Sequence, residues 1–322
     1  MKAIFKSVLK LGLFIYALIL GGVCLSNFSV FSPNWPFGLF ASFMVYLCLA
    51  APIAIIIGVR VWRKCLFVIL PLAIIGFYPF YSFDKYERPS GQNCQEAACL
   101  SIMSANLHHD LDALTRLSDS PKTAESDLIL LMDLPYDLEE ASLAALYPNH
   151  AGIRIFERTA DGNALGSAIA IVSKTPVAAI ELLEDGLENS NFNLRSRIRF
   201  SYSGALSKPA NIVIIHPMMP VGRNGMAYRD QLIDRAITEI GDAEDFILLG
   251  DFNLTPWEPK FKALPGKRAG NPRWISTWDA RKPWLRLVID HVMIGSDFET
   301  VEAEVMPPIG SDHYALFTVV GE

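Results

Sequence analysis

From Leu11 to Val59 the chain carries no charged residue, a run of 49 positions. One helix crossing the hydrocarbon of a bilayer takes about 20 residues, so the run predicts two spans with a turn between them. Ser32-Pro33-Asn34 supplies the turn and Trp35 an interfacial anchor. A third apolar run, Cys65 to Phe83, follows Arg60, Arg63 and Lys64 and stops at Asp84. The sequence therefore predicts three transmembrane helices, at 11–31, 36–59 and 65–83, within a membrane region of residues 1–83. Gly22-Val23-Cys24 does not fit a signal-peptide cleavage or lipid-attachment site, and two further spans follow it.

Charge divides the chain at the same place. Before Asp84 there are six Lys and Arg and no acid; the remainder sets 22 Lys and Arg against 34 Asp and Glu, a net of −12. With 51% hydrophobic residues, the composition excludes intrinsic disorder, a fibre and a freely soluble cytosolic enzyme. Positive residues cluster at the N-terminus and in the second connecting loop, with none in the first. That places the N-terminus in the cytoplasm and everything after Phe83 outside, at an inner or cell membrane crossed several times. Residues 84–99, with Pro89, Ser90 and Gly91, read as a linker. Cys94 and Cys99 in it are either a small disulfide loop in an oxidising compartment or two free thiols.

From Leu100 onward short apolar runs alternate with amphipathic ones. Strands are predicted at 100–106, 127–133, 167–174, 196–203, 210–216, 246–250, 287–294 and 313–320. Helices are predicted at 110–120, 138–147 and 228–240; in the last, Leu232, Ile233, Ala236, Ile237 and Ile240 share a face. Several strand-to-strand connections are too short for a helical crossover. The expected class is an α/β domain, residues 100–322, with mixed sheets.

Polar residues gather where these strands end. Asn106 closes the first strand, Asp133 the second and His216 the fifth; Gly250-Asp251-Phe252-Asn253 closes the sixth. Asp290-His291 and Ser311-Asp312-His313 follow. Strand ends of this kind place polar groups on one rim of a sheet, where ligands bind. Carboxylates, amides and imidazoles together suit a hard divalent cation and attack on a phosphate. Singly, each has a plainer reading as a turn residue, a helix cap or a satisfied edge histidine. Their number and order are what point to chemistry.

Taken together, Asn106, Asp127-to-Asp133, His216-Pro-Met-Met-Pro220, Gly-Asp251-Phe-Asn253, Asp290-His291 and Ser-Asp312-His313 resemble the endonuclease/exonuclease/phosphatase superfamily. That superfamily includes deoxyribonuclease I-like nucleases, sphingomyelinases and inositol-polyphosphate phosphatases. The resemblance covers about residues 100–320. It implies a four-layer α/β sandwich with two central mixed sheets and a phosphohydrolase site using Mg²⁺ or Mn²⁺. It also implies roles. Asn106, Asp133 and Asp312 would hold metal, and Asp251 would orient or deprotonate the attacking water. Asn253 would contact a phosphate oxygen, and His313, held by Asp290, would stand at the scissile phosphate. His216 would donate to a phosphate oxygen or the leaving group. One position departs from the family, whose second strand usually ends in Gln-Glu; here Met132-Asp133 stands instead, with one methylene less reach. Arg229 and Gln231 resemble a pair that braces the site in relatives, and a solvated first helical turn explains them too. His108 and His109 either face the cleft or belong to a loop.

The acidic balance disfavours broad adhesion to duplex nucleic acid, which needs many basic contacts. Arg195, Arg197 and Arg199 alternate along one strand, and Lys260, Lys262, Lys267, Arg268 and Arg273 follow Asn253. That clustering fits a small phosphorylated head group, a short nucleic acid or a solvated face. Tethering raises the local concentration of lipid-borne phosphates. The spans and domain together resemble membrane members of the superfamily associated with glycopeptide resistance, thought to act on isoprenoid-lipid phosphates. The expected activity is a membrane-anchored, metal-dependent phosphatase or phosphodiesterase acting on a phospholipid or lipid-phosphate head group. The alternatives are an envelope-anchored nuclease with nucleic acid as substrate and a catalytically weak scaffold or receptor.

Overall fold

The computed structural model describes residues 2–26, 37–92, 94, 98–156, 168–182, 197–273, 275–282, 284–285 and 287–322. The expected turn at 32–34, Trp35 and Arg195 lie outside them. The chain forms two compact units. One comprises Met1–Asp84 with Met219–Ala227 and Thr255–Ala263; the other comprises Lys85–Met218, Tyr228–Leu254 and Leu264–Glu322.

The first unit is built on helices α1 (Lys2–Ser26), α2 (Phe37–Ser42), α3 (Met44–Val61) and α4 (Leu66–Tyr81). Among the described residues two helices, not three, are long and apolar enough to cross a membrane: Lys2–Leu25 and Met44–Val61. The expected boundaries shift for identifiable reasons. Helix α1 begins at Lys2 because backbone hydrogen bonding continues through Lys6 and Lys10, beyond where hydropathy rises. The second expected span is broken at Phe43 into α2 and α3. The third is only 16 residues long, about 24 Å at 1.5 Å per residue, against about 30 Å of hydrocarbon. Large apolar side chains stand exposed along these helices, among them Phe5 at 65%, Ile53 at 62%, Phe67 at 85% and Ile74 at 71%.

Two later segments belong to this unit. Trp257, 3% exposed, lies 4.8 Å from Phe80 and 5.8 Å from Phe83 between ring centroids, and Phe261 lies 5.6 Å from Phe83. Buried Glu258 accepts from the Ser42 hydroxyl at 2.8 Å and from the Thr255 amide at 2.9 Å. Its desolvation is thereby offset by hydrogen bonds.

The second unit holds two mixed sheets. The seven-stranded sheet runs in the order β1 (Tyr86–Glu87), β10 (Lys267–Ala269), β11 (Asp290–Ile294), β9 (Phe246–Asp251), β8 (Ala210–Ile215), β7 (Arg197–Tyr202) and β6 (Ala178–Leu182). The six-stranded sheet runs β12 (Glu299–Val305), β13 (Leu316–Gly321), β2 (Cys99–Asn106), β3 (Leu128–Met132), β5 (Ile169–Ser173) and β4 (Gly152–Phe156). The pairs β1/β10, β2/β3 and β8/β9 are parallel and the other described pairs antiparallel. Side-chain alternation makes the layers. Leu100, Ile102, Leu128 and Leu130 from one sheet meet Ile212, Ile214, Ile247 and Leu249 from the other in a single core. The intervening Met103, Ile129 and Leu131 point the opposite way. They pack on Leu114 and Leu117 of α5 (Leu111–Ser118) and Leu143 of α7 (Glu140–Leu146). Asp110 caps α5, accepting from the amides of Asp112 and Ala113.

Within the expected linker, described residues from Lys85 onward are tied into the second unit. Tyr86–Glu87 is a strand, the Ser90 and Gly91 amides donate to the Thr300 and Val301 carbonyls, and Cys94 is disulfide-bonded to Cys99. The residues of the expected basic cluster differ in setting. Arg268 is 2% exposed, Arg273 lies over the Tyr86 ring at 5.4 Å, and Lys260 and Lys262 belong to the helical unit.

Candidate active site

The parallel pairs β2/β3 and β8/β9 deliver their C-terminal residues as the sequence pattern requires. Asp251 ends β9, and the chain then turns sharply. Asn253 takes a φ of 48°, and its amide donates to Asp251 Oδ1 at 2.9 Å. Gly250 at φ 137° lies so close to β8 that a Cβ there would sit 2.0 Å from the Ile215 carbonyl oxygen. Only glycine permits that approach.

Asp251 is the centre of the site. It is 2% exposed, and its Oδ2 accepts from the Asn106 amide at 3.2 Å. The same oxygen lies 3.6 Å from His216 Nε2 and 3.7 Å from His313 Nε2. Burial and the neighbouring Asp290 raise its pKa from 3.8 to about 6, against the opposing pull of the two histidines. Asp290 holds the other end of His313, accepting from Nδ1 at 3.0 and 3.1 Å. Burial by itself would lower His313, but Asp290, Asp251 and Asp312 together raise it to about 10, so the ring is an imidazolium at neutral pH. The His313 amide donates to Ser311 Oγ, which donates in turn to the Asn106 carbonyl at 2.8 Å.

Asp133 stands just past β3 with φ 48°, and its carboxylate is 3.7 Å from His216 Nε2. The left-handed backbone and a buried Met132, whose sulfur accepts from the Asp251 amide at 3.3 Å, occupy the place where the superfamily resemblance implies Gln-Glu. Asp312 is held from one side only. Its Oδ2 accepts from Trp278 Nε1 at 3.1 Å and Arg281 Nη2 at 3.0 Å. Its Oδ1 is buried without a hydrogen-bond partner, with His108 Nδ1 at 3.4 Å. A buried carboxylate oxygen left in this state suits a cation.

The expected metal set is thus only partly gathered. Among the described residues the acids and imidazoles whose ligand atoms all lie within 4.8 Å of one another are Asp251, Asp290 and His313. Neither Asp133 nor Asp312 belongs to that cluster. Since Asp290 and His313 already bind each other, the cluster reads better as an acid–base pair beside Asp251. By donor chemistry Asp312 Oδ1, which accepts no hydrogen bond, Asp133 and the Asn106 amide oxygen, which accepts from the His108 amide at 2.9 Å, are the oxygen ligands a hard divalent ion takes. Asn253 spends one of its two amide protons on the Pro217 carbonyl, at 3.0 Å.

For several residues the structure decides between readings that the sequence left open. Arg229 is 1% exposed and donates from Nη1 to the Asn253 carbonyl at 2.9 Å, so it braces the turn instead of facing solvent. Buried Arg268 donates from Nε to His291 Nδ1, and His291 Nε2 donates to the Leu254 carbonyl at 2.7 Å. Burial and the Arg268 charge hold His291 well below its ordinary pKa and keep it neutral, a structural histidine. Thr277 Oγ1 accepts from the amides of Ile289 and Asp290. His109 stacks on Tyr136 at 4.5 Å and does not join the cluster.

An α/β sandwich of two mixed sheets, with acids and histidines converging from parallel strand ends, defines a class of hydrolytic site. Residues 103–313 match the Endonuclease/Exonuclease/phosphatase family, and the chain belongs to it. No curated protein sequence matches the chain significantly. Solved structures share the fold. The endonuclease/exonuclease/phosphatase from Beutenbergia cavernae is 15% identical with a TM-score of 0.54, covering 70% of this chain and 72% of that one. The Bacteroides vulgatus protein of the same description is 16% identical at 0.52, covering 69% and 98%. SmcL is 15% identical at 0.50, covering 70% and 99%.

Proposed function

We propose that this chain is a membrane-anchored phosphoester hydrolase that uses Mg²⁺ or Mn²⁺ and acts outside the cytoplasm on a phospholipid or lipid-phosphate head group. The observation that carries the hydrolase reading is the convergence of Asn106, His216 and His313 on one buried carboxylate, Asp251. Asp251, ionised above about pH 6, orients a water molecule and takes its proton as the oxygen attacks phosphorus. The His313 imidazolium, fixed by Asp290, offsets the negative charge that builds on the phosphate oxygens. The second amide proton of Asn253 can serve a phosphate oxygen. As the phosphorus–oxygen bond to the leaving group breaks, His216 supplies its proton. Asn106, Asp133 and Asp312 would hold the divalent ion, which supplies neutralising charge to the phosphate when bound.

The anchoring reading rests on the apolar exteriors of α1, α3 and α4. With Lys2, Lys6 and Lys10 inside, and Arg60, Arg63 and Lys64 inside after α3, a crossing by α4 carries the sandwich outside. Helix α4 is short, but Cys65 and Ser82–Phe83 extend its uncharged run, and a bilayer thins locally around a short span. The Cys94–Cys99 disulfide supports an oxidising compartment. Labelling of cysteines placed at Lys64 and Asp84 with a membrane-impermeant reagent checks this. Reaction at Lys64 from outside would reverse the orientation.

The hydrolase test uses the detergent-solubilised full chain with Mg²⁺ or Mn²⁺. A soluble phosphodiester, plasmid DNA and a lipid diphosphate are offered in parallel, with Asp251→Ala as control. Release of phosphate or head group from the lipid, lost in the control, is the expected result. Preferential release of nucleotides would make it an envelope nuclease, and no turnover with no metal binding would make it a scaffold.

A further inference from the structure

We infer that the turn Pro217–Gly222, together with Arg223, is an interfacial loop that enters the head-group layer of an anionic lipid bilayer. This rests on the membrane-anchored reading above and extends it to how substrate is met. Met219 is 61% exposed and Val221 72% exposed. Single exposed apolar residues are ordinary, but these two share one rigid turn. The Val221 amide donates back to the Met219 carbonyl at 2.8 Å, and Gly222 takes a φ of 74°. A Cβ on Gly225 would lie 2.7 Å from the Met219 carbonyl oxygen, so the start of α8 (Gly222–Ile240) presses close beneath the turn. The backbone therefore fixes both side chains outward.

Charge points to the occupant. The domain after Phe83 has a net charge of −12, yet residues 217–229 contain no acid and two arginines, of which Arg223 is exposed. An apolar tip beside an exposed cation is the pattern of a segment that inserts among anionic lipids. From Met219 onward the segment belongs to the same compact unit as α1–α4, whose exposed apolar side chains call for a bilayer around them. A surface of lipid continues that covering; a soluble partner or a second copy would have to replace it. Met219 follows His216 by three residues, so the segment leaving a proposed proton donor is the one that would enter the lipid layer.

The test reads position before turnover. In the full chain with Cys24, Cys48 and Cys65 changed to alanine, Met219→Cys is labelled with an environment-sensitive fluorophore. The protein is then reconstituted in phosphatidylcholine–phosphatidylglycerol vesicles. The expected result is blue-shifted emission quenched by lipids carrying a nitroxide near the head group, while a label at exposed Asp112→Cys reports water. Emission at 219 like that at 112, quenched only by soluble iodide, would overturn the proposal. Because this needs no catalysis, it is independent of the Asp251→Ala result. In otherwise native protein, Met219→Ser/Val221→Ser should lower the ratio of vesicle-borne to soluble-diester hydrolysis about tenfold. An equal fall on both substrates would mean the turn is merely structural and would sink the idea.

Discussion

The two sides of the site are finished to different degrees. Around Asp251, Asp290 and His313 every carboxylate oxygen accepts a hydrogen bond, and Thr277, Ser311 and Arg229 brace the backbone that carries them. Around Asp312, Oδ2 accepts two hydrogen bonds while the buried Oδ1 accepts none and has His108 Nδ1 at 3.4 Å; the Asp133 carboxylate lies 3.7 Å from His216 Nε2. The difference teaches how work is divided. On the function proposed above, the groups that would move protons are preorganised by the protein alone, whereas Asp312, which would meet a cation, keeps one carboxylate oxygen without a hydrogen bond.

The hardest way to break this division is to remove its centre. Asp251→Asn keeps the shape and removes the base, and should lower kcat about a thousandfold or more with little change in KM. A mild effect in steady-state kinetics would move the base elsewhere. The next test is the chelated protein's stability against pH. His313 has a folded value of about 10 against an ordinary 6.5, so its contribution is complete below pH 6.5 and lost as pH rises to about 10. Asp251, raised from 3.8 to about 6, disfavours folding once ionised, so stability should already fall across that lower window. Urea unfolding should show a loss on the order of 4 kcal/mol between pH 6.5 and 10, largely absent in Asp290→Asn.

Asp312→Ala should weaken Mg²⁺ binding by about 10- to 100-fold in calorimetry, while Asp290→Asn should change it only a few-fold. Equal losses in both would erase the distinction between the two sides. The smallest effect is expected at Arg229→Met, which frees the Asn253 carbonyl. It should cost about tenfold in kcat, and Arg229→Lys should restore part of it.

How far the sequence carried the fold shows in which strands it found. Runs such as Leu128–Met132 and Phe246–Asp251 are apolar throughout because both faces are buried, and hydropathy alone locates them. The strands that escaped prediction are β1, β4, β6, β10 and β12, and four of them are sheet edges. Edge strands carry little periodicity of their own: β12 reads Glu-Thr-Val-Glu-Ala-Glu-Val, with charges that suit an edge facing water. They become strands only because a neighbour offers a ladder of hydrogen bonds. Site residues followed the same rule. Asn106, Asp251 and His313 were legible because each terminates or adjoins a central strand. Arg229 was legible only as one of two alternatives and Arg268 only as part of a basic cluster, since a buried arginine and a solvated one look alike until partners such as the Asn253 carbonyl and His291 are placed.

The sequence alone determined where apolar and acidic character divide, the central strands and the order of the polar strand ends. Those follow from local composition and the two-residue period of a strand. Only the tertiary structure decided that Thr255–Ala263 packs with the N-terminal helices, that Tyr86–Glu87 is a strand, and that one buried oxygen of Asp312 accepts no hydrogen bond. Each of these depends on residues far apart in the chain, and long-range contacts are set by three-dimensional packing that no local pattern encodes.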